Sequence, residues 1–482
     1  MLLALLLVAA EALPAQARLE SSVLEAVTSL CGDHEVSVAR DLTRACQGYA
    51  TAAASGRITV SGPAVAFFAS LESAEPAPVA AVATVRPASQ ADRAVGELFP
   101  KSCRFNRIGV AAALLPSGGA VVCALAALHG TDLATIPGRV RAGQAVRVEG
   151  ALARGLAGPR LFVTRPKGAV DEIHLAVKGA RFSAKVPLKE RGEHSIEVLA
   201  EGPGGPQVVA LRRVFAGVPP PSRPPPDPPP GEGLDGVEAA IAHLRASRGL
   251  APLQRDPELD AAAEAHSREM ARLRTFAHVL PSDGGPADRL RSRGYAYSSV
   301  AENIGLSSDV GRAHEAIAGS PAHLANLLDP RHRRLGLGAA RGPTADGPEG
   351  VYLTELFAVP VVGSKDPAGD VVRVIAGKRR ALGLPPLARD PALDSLADHE
   401  VRATALSDQM KLDRGLTARA LSQAPHLSSA AAELRVGSAP AEVGASKNIA
   451  EPRWTRLGVG ALYASSRRYG PGRLWIVLLF AR

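Results

Sequence analysis

Histidines and carboxylates, side chains able to hold a cation or move a proton, are scattered through one stretch of this chain; three of them are His278 in Phe276-Ala277-His278, Glu302 in Ala301-Glu302-Asn303, and His323 in Ser320-Pro321-Ala322-His323. Neutral imidazole nitrogens plus a carboxylate suit Zn²⁺ or a similar divalent ion with an open coordination position. The three are too far apart for spacing alone to make them one site, and no His-Glu-x-x-His helix is present. Ser320 adds a hydroxyl, but it lacks a Gly-x-Ser-x-Gly setting. Followed by Pro321, it reads instead as a helix N-cap, a position where serine accepts a free backbone amide. Plainer roles exist for the others as well. Glu302 can accept amides of a buried turn, His323 can be a core histidine with a backbone partner, and Asn303 and Asn326 read as structural neighbours, Asn326 bonding backbone near the following turn.

The elements that must carry these groups are helices followed by a hairpin. Asp235 is placed to cap a helix with the apolar stripe Val237, Ile241 and Leu244, and Gly249 is placed to end it in the left-handed conformation. Asp256-Pro257 starts a second helix, whose stripe is Leu259, Ala263, His266, Met270 and Leu273. His266 on that stripe reads as structural. Leu335 to Ala339 and Val351 to Ala358 read as paired strands joined by a Gly- and Pro-rich loop.

The phrase Ala301-Glu302-Asn303-Ile304, then Ser320-Pro321-Ala322-His323-Leu324-Ala325-Asn326-Leu327-Leu328, then Leu335-Gly336-Leu337-Gly338 resembles the bacterial branch of the CAP superfamily (cysteine-rich secretory, antigen 5, pathogenesis-related 1), over residues 231–360. The resemblance implies an α-β-α sandwich with a cavity between helices and sheet. In the family two histidines and one or two glutamates converge there, and some members bind a divalent metal; the matching positions here are His278, Glu302 and His323. Ile317 stands where the family carries a tryptophan, and the second glutamate has no match, Glu315 being out of register. The implied function is extracellular binding of a lipid-like ligand, a cell-envelope component or a protein partner, with Zn or another divalent metal as the implied cofactor. The alternative is an extracellular hydrolase, either metal-dependent or with Ser320 as nucleophile and a histidine as base. No nucleophile, base and oxyanion donor can be named together, which favours binding over catalysis.

An internal repeat follows. Arg248-Gly249-Leu250-Ala251-Pro252-Leu253-Gln254-Arg255-Asp256-Pro257 recurs as Leu382-Gly383-Leu384-Pro385-Pro386-Leu387-Ala388-Arg389-Asp390-Pro391, and Arg334-Leu335-Gly336-Leu337-Gly338 as Arg456-Leu457-Gly458-Val459-Gly460. The second copy has Ala445 for His323 and Glu400 for His266, leaving Glu433 as the one echo of Glu302, so it reads as a degenerate unit. A fainter third copy is suggested by Ile108-Gly109-Val110 and the glycine turn before Ala120-Val121-Val122.

The fold class expected is therefore multidomain α+β, with CAP-type α-β-α sandwich units plus one immunoglobulin-like β-sandwich. Expected boundaries are a signal peptide at 1–17 ending in Ala15-Gln16-Ala17, a cysteine-containing α+β domain at 18–130, the β-sandwich at 131–217, a proline-rich spacer at 218–233, the CAP unit at 234–360 and its degenerate copy at 361–482. The 4 cysteines, Cys31, Cys46, Cys103 and Cys123, all lie in the first domain. In an exported protein they imply two disulfides, with three pairings open. No long uncharged apolar segment follows the leader, so an integral membrane protein is not expected, and the location implied is secreted or periplasmic. The net charge is +9, but the basic residues are scattered and few aromatics accompany them, which argues against nucleic acid as a partner. The run Arg331-His332-Arg333-Arg334 reads as a solvated loop.

Overall fold

The structure is a computed structural model that describes residues 15–32, 34–99, 103–225, 233–345, 349–361 and 364–482. Most of the expected leader, and residues 226–232 of the expected spacer, lie outside the described residues. Ala15-Gln16-Ala17 opens the first helix.

The front unit contains helices α1 (Ala15–Ser29), α2 (Arg40–Ala54), α3 (Gly62–Glu72) and α4 (Ala91–Leu98), with strands β1 (Ser37–Val38), β2 (Val79–Val85), β3 (Arg107–Leu114) and β4 (Ala120–Ala127). Its sheet order is β1-β3-β4-β2, with β1 parallel to β3 and the other pairs antiparallel. Both faces of the hairpin are apolar because each is covered by helices. Ile108, Val110, Val122 and Ala124 meet α1 and α4, while Ala111, Val121, Cys123 and Leu125 meet α2 and α3. Disulfides join Cys31 to Cys103 and Cys46 to Cys123. The second of these staples α2 directly onto β4.

Next come β5 (Thr131–Leu133), β6 (Arg139–Val140), β7 (Ala145–Leu152), β8 (Ala157–Thr164), β9 (Val170–Ile173), β10 (Ala176–Lys178), β11 (Arg181–Pro187), β12 (Gly192–Gly202) and β13 (Gly205–Ala216). They form two sheets, β10-β11-β7-β5 and β6-β13-β12-β8-β9. Alternate residues of each, Val146, Val148, Phe182 and Val186 against Leu161, Val163, Ile196, Val198 and Val214, share one core, so this module is a β-sandwich.

The central unit has α5 (Gly233–Ala246), β14 (Gln254–Arg255), α6 (Pro257–Leu273), α7 (Pro286–Ser292), β15 (Tyr297–Ser307), α8 (Val310–Gly319), α9 (Pro321–Leu328), β16 (Arg334–Pro343) and β17 (Glu349–Pro360). Asp256 caps α6 by accepting from Glu258 N at 3.0 Å, and Gly249 takes a φ of 67°, as the sequence predicts. Asp235 does not cap α5; it lies inside the first turn, where its charge favours the helix N-terminus. The last unit has α10 (Pro367–Ala381), β18 (Ala388–Arg389), α11 (Pro391–Ser407), α12 (Leu416–Gln423), β19 (Ala430–Gly437), β20 (Arg456–Ser466) and β21 (Gly470–Ala481).

The sheets of these two units run β14-β16-β17-β15 and β18-β20-β21-β19, the same order as the front sheet and with the same parallel first pair. Matching glycines, Gly109, Gly336 and Gly458, lie where any Cβ would strike the backbone of the facing helix at Leu42, Leu259 and Leu393. Matching arginines are fully buried: Arg245 donates to Ala251 O and Leu327 O, and Arg379 to Pro385 O and Ile449 O.

The sandwich and the central unit touch directly. Val279 N donates to Gly204 O at 3.0 Å, and α9 packs across β8, β9 and β12. On its other side the central unit meets the last one, where Arg467 pairs with Asp288 at 2.7 Å.

Candidate functional site

The site is built around β15, an edge strand whose alternating residues serve the two faces of the sheet. Glu302 lies opposite Leu356 and Asn303 opposite Glu355. On the α6 and α7 face, Glu302 Oε1 is 2.9 Å from His278 Nδ1 and 3.9 Å from His266 Nε2, while Oε2 accepts from Arg289. Arg289 also donates to His278 O at 3.1 Å and Gly284 O at 2.8 Å, which ties the loop before α7 to the carboxylate. His266 is fully buried, with Nδ1 2.8 Å from Asp283 Oδ2 and Nε2 3.1 Å from Ala277 O. Burial pushes the Glu302 carboxyl up, but the hydrogen bond with His278 and the charges of Arg289, His278 and His266 outweigh it and hold the group below its usual range.

On the other face Asn303 Nδ2 donates to Glu355 Oε2 at 3.1 Å and to His323 O at 3.2 Å, and Asn326 Nδ2 donates to Asn303 Oδ1 at 2.9 Å. Glu355 Oε1 is 2.7 Å from His314 Nδ1, which completes a buried polar ladder from α9 to α8.

His323 stands in a third set of contacts that crosses between modules. Its Nδ1 is 2.7 Å from Ser320 Oγ, and Ser320 Oγ donates at 2.5 Å to Glu197 Oε2 on β12 of the sandwich. Glu197 Oε1 accepts from Ala322 N at 2.9 Å. Ser320 thus occupies the N-cap position of α9 without capping it; the capping oxygen comes from Glu197. That corrects the expected role of the serine. It follows from position: the Glu197 carboxylate, a stronger acceptor than a hydroxyl, takes the α9 amide of Ala322. Glu197 is fully buried, and burial raises its pKa to about 7 against the hydrogen bonds from Ser320 and Ala322. Burial, with a smaller push from the charge of His278, lowers His323 to about 4.

Of the expected donors, the carboxylate is the one whose two oxygens are already committed to other groups. Glu302 already carries a guanidinium on one oxygen and an imidazole on the other, while His278 and His323 meet Glu302 and Ser320 through Nδ1. Among the described residues no group of His, Cys, Asp and Glu side chains has the arrangement to hold a metal ion. A cation beside Arg289 would also meet a fixed positive charge.

The model of the Cysteine-rich secretory protein family, CAP, matches residues 239–357. Residues 239–357 form a CAP domain. The uncharacterized protein YkwD of Bacillus subtilis (strain 168) is 34% identical over 95 residues, which are 20% of this chain and 37% of that relative. This chain therefore spans little more than a third of the curated relative it matches. Among solved structures, an outer surface protein from Borrelia burgdorferi is 22% identical, with 26% of this chain and 92% of that chain covered and a TM-score of 0.23. An extracellular protein containing a SCP domain from Bacillus anthracis str. Ames is 16% identical, with 48% and 86% covered and a TM-score of 0.22.

In the CAP domain His278 and Glu302 are thus brought into contact, and His323 lies near enough to His278 to feel its charge, but it bonds elsewhere. Glu315 is exposed, and the adjacent His314 makes the buried contact. Asn326 bonds side chain to side chain with Asn303, in addition to a 3.5 Å contact with Glu302 O. His332 is not part of a solvated loop: it is buried and stacked on Phe357, while Arg331 and Arg333 stay exposed. In the last unit Glu433 lies opposite Leu478 and matches Asn303 rather than Glu302; it accepts from Asn448 Nδ2 at 2.5 Å, as Asn303 accepts from Asn326. Sequence reasoning missed Glu197, Arg289, His314 and Glu355. Glu355 did leave a signal, as the one carboxylate within the apolar run Val351 to Ala358.

Proposed function

We propose that this is a secreted or periplasmic binding protein whose CAP domain engages a lipid-like ligand, a cell-envelope component or a protein partner, and that it works without turning over a substrate. The observation that carries this reading is the mutual satisfaction of the polar groups: Glu302 is pinned by His278 and Arg289, and Ser320 by Glu197 and His323. A hydrolytic nucleophile needs a free hydroxyl or an activated water with an oxyanion donor nearby. Here the Ser320 hydroxyl beside His323 donates to a carboxylate, and the amide of Ala322 is occupied by the same carboxylate.

The front and last units read as eroded copies of the CAP unit, supported by the strand order common to the three sheets and by the paired buried arginines. The sandwich reads as an immunoglobulin-like module. Such copies keep a fold while losing the imidazoles, which suits surfaces for binding rather than repeated active sites.

The test is calorimetric titration of the full chain and of a His278→Ala/His323→Ala variant with Zn²⁺, alongside peptide, ester and glycan turnover and retention on lipid vesicles and isolated cell envelope. The expected result is no Zn²⁺ heat that distinguishes the two proteins, no turnover, and retention on vesicles or envelope. Saturable Zn²⁺ binding seen in the unaltered chain alone, or turnover lost in the variant, would overturn this reading in favour of a metal-dependent hydrolase.

A further inference from the structure

We propose that Glu197 of the β-sandwich is a positioning residue of the CAP site: acting across the module boundary through Ser320, it sets which ring nitrogen of His323 carries the proton. The arrangement is a chain of three groups, with Ser320 Oγ 2.5 Å from Glu197 Oε2 and 2.7 Å from His323 Nδ1. A hydroxyl has one proton to give. Facing a carboxylate, which only accepts, Ser320 donates to Glu197 and must accept from His323 Nδ1–H, so the lone pair of the neutral ring sits on Nε2. A donor at position 197 reverses the chain. Ser320 then accepts from residue 197 and donates to Nδ1, and the ring proton moves to Nε2. A base becomes a donor with no change in the imidazole's position.

Nothing in the packing of the sandwich calls for a glutamate here. Ile196, Val198 and Ala200 point into the sandwich core, so strand alternation sends Glu197 outward, where α9 covers it completely. Among the ionisable groups on the strands beside it, Arg160 is engaged with Glu172, Arg165 with Asp171 and Glu190, and Arg213 with Glu193. A buried carboxylate without a cation is costly to keep. The hydrogen bonds it accepts from Ser320 and Ala322 tie it to the helix that carries His323, so its geometry addresses the site. The inference stands whether that site binds or catalyses.

The experiment is long-range ¹H–¹⁵N correlation on the His323 ring in the ¹⁵N-labelled full chain, at alkaline pH above the value of about 7 at which Glu197 ionises. The unaltered protein is compared with Glu197→Gln. The amide of the introduced side chain must give its carbonyl to Ala322 N, a buried donor, which leaves its NH₂ facing Ser320. The expected result is an imine-type Nε2 in the unaltered protein and a pyrrole-type Nε2 in Glu197→Gln, the difference vanishing when Ser320→Ala is added to both. The same tautomer in both proteins, whatever the change in melting temperature, would overturn the proposal, since a purely structural role moves stability and leaves the ring signals alone. If Glu197→Gln does not fold, Ser320→Ala alone decides: removing the acceptor must change the Nδ1 signal, and an unchanged signal sinks the idea.

Discussion

Glu302 keeps a negative charge in the interior because Arg289 reaches it, and the two must be considered together. Arg289→Met removes the guanidinium and leaves the carboxylate buried against apolar surroundings, which should cost about 3–5 kcal/mol, read as a lowered urea midpoint. The double change Arg289→Met/Glu302→Gln should recover a good part of that, because the charge needing a partner has gone. A single-variant loss below about 1 kcal/mol would mean that His278 and His266 suffice to hold the carboxylate. His314 and Glu355 make the analogous pair on the opposite face, tied to the site through Asn303.

At the scale of elements, the contact of α9 with β12 couples stability to pH. Glu197 titrates near 7 in the folded chain against an ordinary value of 4.5, so the folded state binds the extra proton between those limits. Its contribution is fully present below about pH 4.5, declines as pH rises, and is gone above about 7. His323, lowered from 6.5 to about 4, acts in the other direction: its contribution is present above 6.5 and is lost as pH falls toward 4. Relative to the unaltered chain, Glu197→Gln should therefore gain stability as pH rises from about 4.5 to about 7, on the order of 3 kcal/mol over the full window. Denaturant midpoints at several pH values measure this, and parallel curves for the two proteins would contradict the assignment.

In the front unit the link from α2 to β4 is covalent. Replacing Cys46 and Cys123 by serine opens a loop of sequence separation 77 and should cost about 2–5 kcal/mol, seen as an earlier calorimetric transition for that unit.

At the scale of the whole molecule, the CAP domain is held between two neighbours by different means. The contact with the last unit includes the Asp288–Arg467 ion pair, which is largely exposed on the arginine side and should be worth at most about 1 kcal/mol. The contact with the sandwich is a close backbone approach, since a Cβ on Gly204 would lie 2.9 Å from that of Ala277. Gly204→Leu should push the modules apart with each remaining folded, giving a larger radius of gyration by small-angle scattering and faster amide exchange at Val279 and Ala322. An unchanged radius and unchanged exchange would show that the hairpin tip yields without undocking.

The sequence by itself determined the helices, the cap of α6, the hairpins and the apolar stripes, while family likeness grouped His278, Glu302 and His323. These are local or periodic properties: Asp256-Pro257 starts α6, and the alternating residues of β12 mark its buried face, whatever lies further along the chain. The two disulfide pairings, the guanidinium of Arg289 on Glu302 and the Glu197–Ser320–His323 chain were decided only by tertiary structure. Their partners are separated by 72 residues for Cys31 and Cys103, and by 123 for Glu197 and Ser320. No periodicity spans such intervals. A carboxylate that alternation turns toward solvent becomes a buried site residue only because another module closes over it.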